Sequence, residues 1–337
     1  MTKTIQTVAR NYAFADNRQA VWELSISVSF YLFALLTAIL NFGNWGIFTA
    51  SVFTASMMTL RIYMIQHDCL HRSFFTSKLI NDLVGTVLSV VAMTPYQATK
   101  YIHGQHHTHV SNLDRRDTFE IHTMTLREWE TAPTFIRLTY RAFRSPLTLI
   151  VFGPFVFYGI IRRMPLVAFK IRYGVSDLII HNGLLALVLF GIFSIFGWSG
   201  LITWLLVFYV ASVFGALIPY IVHNFETIHW GTKPDLDFET AALEGSAVLD
   251  WGPIYDWTML NIGYHDLHHL NAKIPGYHLK AAHQELERLE LIDSEKIGFW
   301  DGLACLKWKL YDEDNKRMIE FPKRNFKDNL HHQKAGS

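Results

Sequence analysis

No Asp, Glu, Lys or Arg occurs between Glu23 and Arg61, and none between Asp177 and Glu226. A bilayer crossing takes roughly 20 predominantly apolar residues, so each run has room for two crossings. Each also holds a turn near its middle: Asn41-Phe42-Gly43-Asn44-Trp45-Gly46 in the first, Gly197-Trp198-Ser199-Gly200 in the second. The pattern predicts two helical hairpins, with spans near 24–41, 46–66, 178–196 and 201–222. Buried core helices of a soluble fold are the competing reading, and paired charge-free runs of this length argue against it. Composition agrees, since 18% of the residues are charged against roughly 25% in soluble domains.

Lys and Arg then orient the chain. The two short turns contain none, whereas Lys3, Arg10 and Arg18 precede the first span and most of the remainder lie in 67–177 and 223–337. Basic loops stay on the cytoplasmic side, so both termini and both long segments are expected there. The stretches Leu83–Thr99 and Ser145–Ile161 are marginal for a span. Either one crossing alone would put histidine clusters on opposite sides, so they read as helices in the interface or beside the bundle. The expected class is an all-α integral membrane protein: four transmembrane helices, interfacial helices and a cytoplasmic helical cap in a single domain. The tail 325–337 has disorder-like composition. A net charge of +1 gives no reason to expect nucleic acid. Cys69 and Cys305 are too few for a disulfide framework, which favours a reduced compartment. The first residues lack the pattern of a cleavable signal.

Four histidine groups carry the chemistry. His67-Asp68-Cys69-Leu70-His71 follows the second span. His103-Gly104-Gln105-His106-His107 follows the first marginal stretch, His223 ends the fourth span, and His265-Asp266-Leu267-His268-His269 lies near the C-terminus. Positions i, i+3 and i+4 share a helix face, so each group projects its rings together. A zinc site uses three or four protein ligands, and a mononuclear non-haem iron oxygenase uses two His and a carboxylate. His67, His71, His103, His106, His107, His223, His265, His268 and His269 exceed both needs, and two metal ions account for them. Imidazole also suits copper, zinc and nickel. A membrane-apposed pair facing acyl C–H bonds favours redox iron over a hydrolytic metal. Asp68, Asp266, Glu226, Asn261, Asp114 and Asp117 are near enough in sequence to hold the far ring nitrogens. His109, His122, His229, His278 and His283 read as loop residues, solvated or supporting, and His331 and His332 belong to the polar tail. His181, a turn inside the third span near Asp177, reads equally as functional or as reaching the headgroups.

The three boxes resemble those of the membrane fatty acid desaturase family. Text between them is similar to bacterial acyl-lipid desaturases of the phospholipid delta-5 type: Ser73-Phe74-Phe75, Ser111-Asn112-Leu113-Asp114-Arg115-Arg116, Ala241-Ala242-Leu243-Glu244-Gly245-Ser246, Asn261-Ile262-Gly263-Tyr264, Ile274-Pro275-Gly276-Tyr277 and Tyr311-Asp312-Glu313-Asp314-Asn315-Lys316. The similarity runs over about residues 20–320. Leu70, Asp266 and Thr227-Ile228-His229-Trp230 depart from it, and the nine ligand positions are filled. The resemblance implies four spans under a cap, two iron ions, O2 as co-substrate and a double bond introduced into a fatty acyl chain. That chain would be carried on phospholipid, CoA or acyl carrier protein. Electrons would come from a ferredoxin- or cytochrome b5-like donor, since no flavin, nicotinamide or haem fingerprint occurs. The setting implied is the bacterial cytoplasmic membrane. An apolar tunnel between the spans would take the acyl tail, with Arg72, Arg115 and Arg116 near its head group. A hydroxylase, acetylenase or ketolase would use the same scaffold. A membrane metal transporter is the non-enzyme alternative, opposed by the one-sided clustering of the ligands, and no His-Glu-x-x-His supports proteolysis.

Overall fold

The computed structural model describes residues 4–116, 122–233 and 236–322; Asp117 and the tail 325–337 lie outside them. Its helices begin with α1 (Ile5–Arg10), α2 (Asn17–Leu40), α3 (Trp45–His71), α4 (Lys78–Ala92), α5 (Tyr96–His109), α6 (Leu126–Thr131) and α7 (Thr134–Phe143). They continue with α8 (Gly153–Gly159), α9 (Gly174–Val222), α10 (Phe238–Leu243), α11 (Pro253–Thr258), α12 (His265–Leu270), α13 (Gly276–Arg288) and α14 (Phe299–Ala304). Among the described residues, α2, α3 and α9 are each long and apolar enough to cross a membrane.

Local chemistry sets the first hairpin. Asp16 caps α2 by accepting from the Arg18 amide at 2.8 Å, and Asn44 caps α3 by accepting from Ile47. Side-chain oxygens here satisfy amides that have no partner within the helix. Helix α3 runs five residues past the expected end at 66 and stops where Arg72 turns left-handed, φ 53°. The first histidine pair therefore rides on the last turns of a membrane helix.

Helix α9 spans 49 residues, which would measure about 73 Å if straight. It is broken at Gly197, with φ 62° and ψ −150°, a region open essentially to glycine alone. A Cβ on Gly200 would lie 3.0 Å from the Ile192 side chain, which a straight helix would place about 12 Å along its axis. The chain doubles back where the Gly-Trp-Ser-Gly turn predicts.

Each marginal stretch proves to be part of a bent pair. Helices α4 and α5 meet at 96°, so Leu83–Thr99 is interrupted; α7 meets the segment Thr148–Arg163 at 53°. Pro95 accounts for the first bend, because the residue before proline is pushed out of helical geometry. Among the described residues, five short strands add to the all-helical expectation. Strands β1 (Met124–Thr125), β4 (Leu310–Asp312) and β5 (Arg317–Ile319) form one sheet in the order β1-β4-β5, with β1 parallel and β5 antiparallel to β4. Strands β2 (Val248–Leu249) and β3 (Lys296–Ile297) pair in parallel.

One hydrophobic core runs from α2, α3 and α9 into α12 and α13. Beside it Arg144 is fully buried. It donates to Asn224 Oδ1 at 2.6 Å and to the Trp308 carbonyl at 3.2 Å, and lies over the Tyr220 ring at 5.0 Å. Asn224 in turn donates to the Cys305 carbonyl. This knot ties α7, the end of α9 and the C-terminal strands together next to His223.

Candidate metal centre

The nine imidazoles converge as two groups. His67, His71, His103, His107 and His268 form one; His106, His223, His265 and His269 form the other. Within each, the candidate ligand atoms all lie within 4.8 Å of one another. Helical spacing explains the division. On α5, residues 103 and 107 point one way and 106 the other; on α12, residues 265 and 269 turn away from 268. Helices α5 and α12 thus serve both groups, which sets the groups side by side with the His107 and His269 rings stacked at 4.3 Å.

The separations fit metal coordination. His107 Nε2 is 3.0 Å from both His103 Nε2 and His268 Nε2. In the second group His106 to His269 is 3.1 Å, His223 to His265 is 3.1 Å, and His265 to His269 is 3.2 Å. Two nitrogens about 2.1 Å from one ion and at right angles around it stand about 3.0 Å apart. His71 Nε2 is buried with no hydrogen-bond partner among the described residues, as expected of a lone pair reserved for a cation. Burial holds the His265, His268 and His269 rings well below the ordinary histidine range, and the neighbouring His223, His67 and His107 respectively add to the effect. The rings are therefore neutral at physiological pH, the form that ligates.

His223 Nδ1 donates to the Gly245 carbonyl at 3.0 Å, which turns Nε2 toward the centre. A Cβ at Gly245 would collide with Ser111 and with the Ala241 carbonyl, so only glycine lets that carbonyl come so close. Asp68 Oδ1 is 3.6 Å from His67 Nδ1, while its Oδ2 accepts from the Gly276 amide at 2.7 Å, joining α3 to the start of α13.

The other candidates are engaged elsewhere. Asp266 faces away from the centre, accepting from the Leu267 amide at 2.6 Å and from the Ser294 hydroxyl, with His283 Nε2 at 3.4 Å. Asn261 donates to the Gly276 carbonyl, Asp114 accepts from the Lys233 amide, and Glu226 lies 3.8 Å from Arg317. Arg72 pairs with Asp82, and Arg116 grips Glu128 and two carbonyls; Arg115 is exposed in the turn Leu113–Arg115. His181 meets Ser89 at 2.7 Å and Arg163, so both ring nitrogens serve packing.

Three loop assignments are corrected. His109 is the last residue of α5. His278 and His283 lie on α13, and His283 is fully buried. The apolar spacing Leu279, Ala282, Leu286 marks that helix face and includes His283. Gly245 stands out in the sequence only as part of the segment Ala241–Ser246 that resembles the family, and nothing in the pattern points to Arg144.

A family model described as fatty acid desaturase matches residues 42–296, a stretch that contains all nine of the converging imidazoles. The chain is 30% identical over 330 residues to a "Fatty acid desaturase" of Bacillus subtilis, covering 94% of this chain and 93% of that one. An "sn-1 oleoyl-lipid 12-desaturase" of Synechocystis sp. is 27% identical over 242 residues, covering 67% of this chain and 64% of its own. A chloroplastic "Omega-6 fatty acid desaturase" of Arabidopsis thaliana is 24% identical over 323 residues, 91% of this chain and 66% of its own.

Proposed function

This chain belongs to the fatty acid desaturase family, and from that premise we propose that it introduces a carbon-carbon double bond into the acyl chain of a membrane lipid, using O2 and two iron ions. The observation that carries the reading is the division of nine imidazoles into groups of five and four. The overall reaction balances as a –CH2–CH2– unit, O2, two electrons and two protons giving –CH=CH– and two waters. An iron pair, when bound, supplies the O2 chemistry and the redox capacity for removing the two hydrogens.

The protein's own part is to hold, orient and exclude. His67, His71, His103, His107 and His268 hold one ion; His106, His223, His265 and His269 hold the other. The Gly245 carbonyl keeps a proton on His223 Nδ1. Leu267, Leu270 and Ile262, buried around α12, keep water from the rings. Tyr63 sits one turn before His67 and bounds a small cavity with Thr59, Tyr158, Ala211 and Gly215. Electrons arrive from a ferredoxin- or cytochrome b5-like donor.

Four crossings are proposed, α2, α3 and the two arms of α9, with both termini and the metal centre in the bacterial cytoplasm. The lipid-linked substrate is supported by the name of the Synechocystis relative. Mass spectrometry of lipids and acyl thioesters after heterologous expression tests the function. Phospholipid acyl chains lighter by two hydrogens, formed only with O2, are expected. Chains heavier by one oxygen drawn from labelled O2 would instead establish a hydroxylase, and products confined to acyl thioesters would overturn the lipid-linked substrate.

A further inference from the structure

We propose that α11 and α14, both within the segment expected to be wholly cytoplasmic, are seated in the bilayer where headgroups meet acyl chains. The inference rests on the membrane reading of α2, α3 and α9. These two short helices expose large apolar side chains: Ile254 is 81% exposed and Trp300 77%, with Trp257 and Phe299 nearly half exposed. Apolar surface of this kind marks an interaction face, and its position says which partner covers it.

Trp257 fixes the depth of α11. Its ring carries the Arg61 guanidinium at 4.3 Å, and Arg61 pairs with Glu23. Arg61 and Glu23 are the two charges that bound the first charge-free run, so this ring lies at the polar edge of the membrane helices. The same ring meets Phe30 edge-on at 6.3 Å. Phe30 lies about 10 Å further along α2 than Glu23, half exposed on the same lipid-facing helix as Phe33. The exposed surface of α11 thus continues that of α2. Its opposite side is polar, with Asp256 paired to Lys280 at 2.8 Å.

Helix α14 is placed similarly. Phe299 packs on Trp251 at 5.3 Å, and Gly302 faces Ile221 in the last turn of α9. With Trp22, which is 61% exposed one residue before Glu23, Trp257 and Trp300 form the aromatic girdle that membrane interfaces favour. The short turn 259–264 joins α11 to the ligand-bearing α12, so this seat sets the depth of the four-imidazole group against the acyl chains.

Bimane attached through Ile254→Cys or Trp300→Cys, in phosphatidylcholine nanodiscs, tests the proposal; the native Cys69 and Cys305 are buried. Phe33→Cys serves as the lipid reference and Gln284→Cys, exposed on α13, as the aqueous one. Brominated acyl chains should quench the Ile254 and Trp300 labels comparably to the Phe33 label and leave the Gln284 label bright. Quenching at Phe33 with none at Ile254 and Trp300 overturns the proposal, whether iodide reaches those labels or a second protein shields them. No quenching at Phe33 overturns the membrane reading as well. The unsubstituted protein gives an independent check: photoactivatable phosphatidylcholine should modify peptides 253–258 and 299–304, and adducts confined to α2, α3 and α9 would defeat the seat.

Discussion

Eight of the nine imidazoles converge from helices that also pack the core, and His223 joins them from the residue just past α9, so a single ring is not replaceable by its neighbours. His223→Ala leaves three rings in the four-membered group, and activity should fall by more than about 100-fold with the bound iron falling toward one per chain; full activity in that variant would contradict the assignment. Asp68→Asn weakens the support of His67 and the link to Gly276, and metal affinity measured by chelator competition should drop about 10- to 100-fold. The residues that converge were legible in the sequence because i, i+3 and i+4 spacing makes a visible pattern. Their supports were not, since Gly245 reaches His223 through a tertiary contact that leaves no periodic trace. Asp266, adjacent in sequence to a ligand, turns instead to His283 and Ser294, because neighbouring side chains on a helix diverge by about 100°.

The elements were legible where composition is extreme and less so where bends intervene. The charge-free runs and the Gly197 turn were readable, while the 96° bend between α4 and α5 was hidden inside one apolar stretch. That bend lets α4 pack beside the membrane helices and α5 deliver His103, His106 and His107 across their ends. Gly197 has open space around it, so its requirement is conformational rather than steric. Gly197→Ala should cost about 1–3 kcal/mol, read as a lower melting temperature in detergent with metal content retained; an unchanged melting temperature would mean the turn accommodates a side chain.

For the whole molecule, the centre couples folding to acidity. The buried rings of α12 resist protonation, whereas histidines of the unfolded chain titrate near about pH 6.5. Below that pH the unfolded chain takes up protons that the folded chain excludes, so stability is full above it and declines as pH falls. Melting of metal-free protein across this range should show that slope, and a flat profile would mean the rings are open to water. Metal should slow the acid loss, because bound imidazoles cannot protonate. Two irons in one chain, one in each imidazole group, are what the proposed function requires. Elemental analysis with Mössbauer spectroscopy on purified, folded protein tests this most directly. Two irons per chain in nitrogen-rich sites are expected, and a single zinc with no iron would contradict the account.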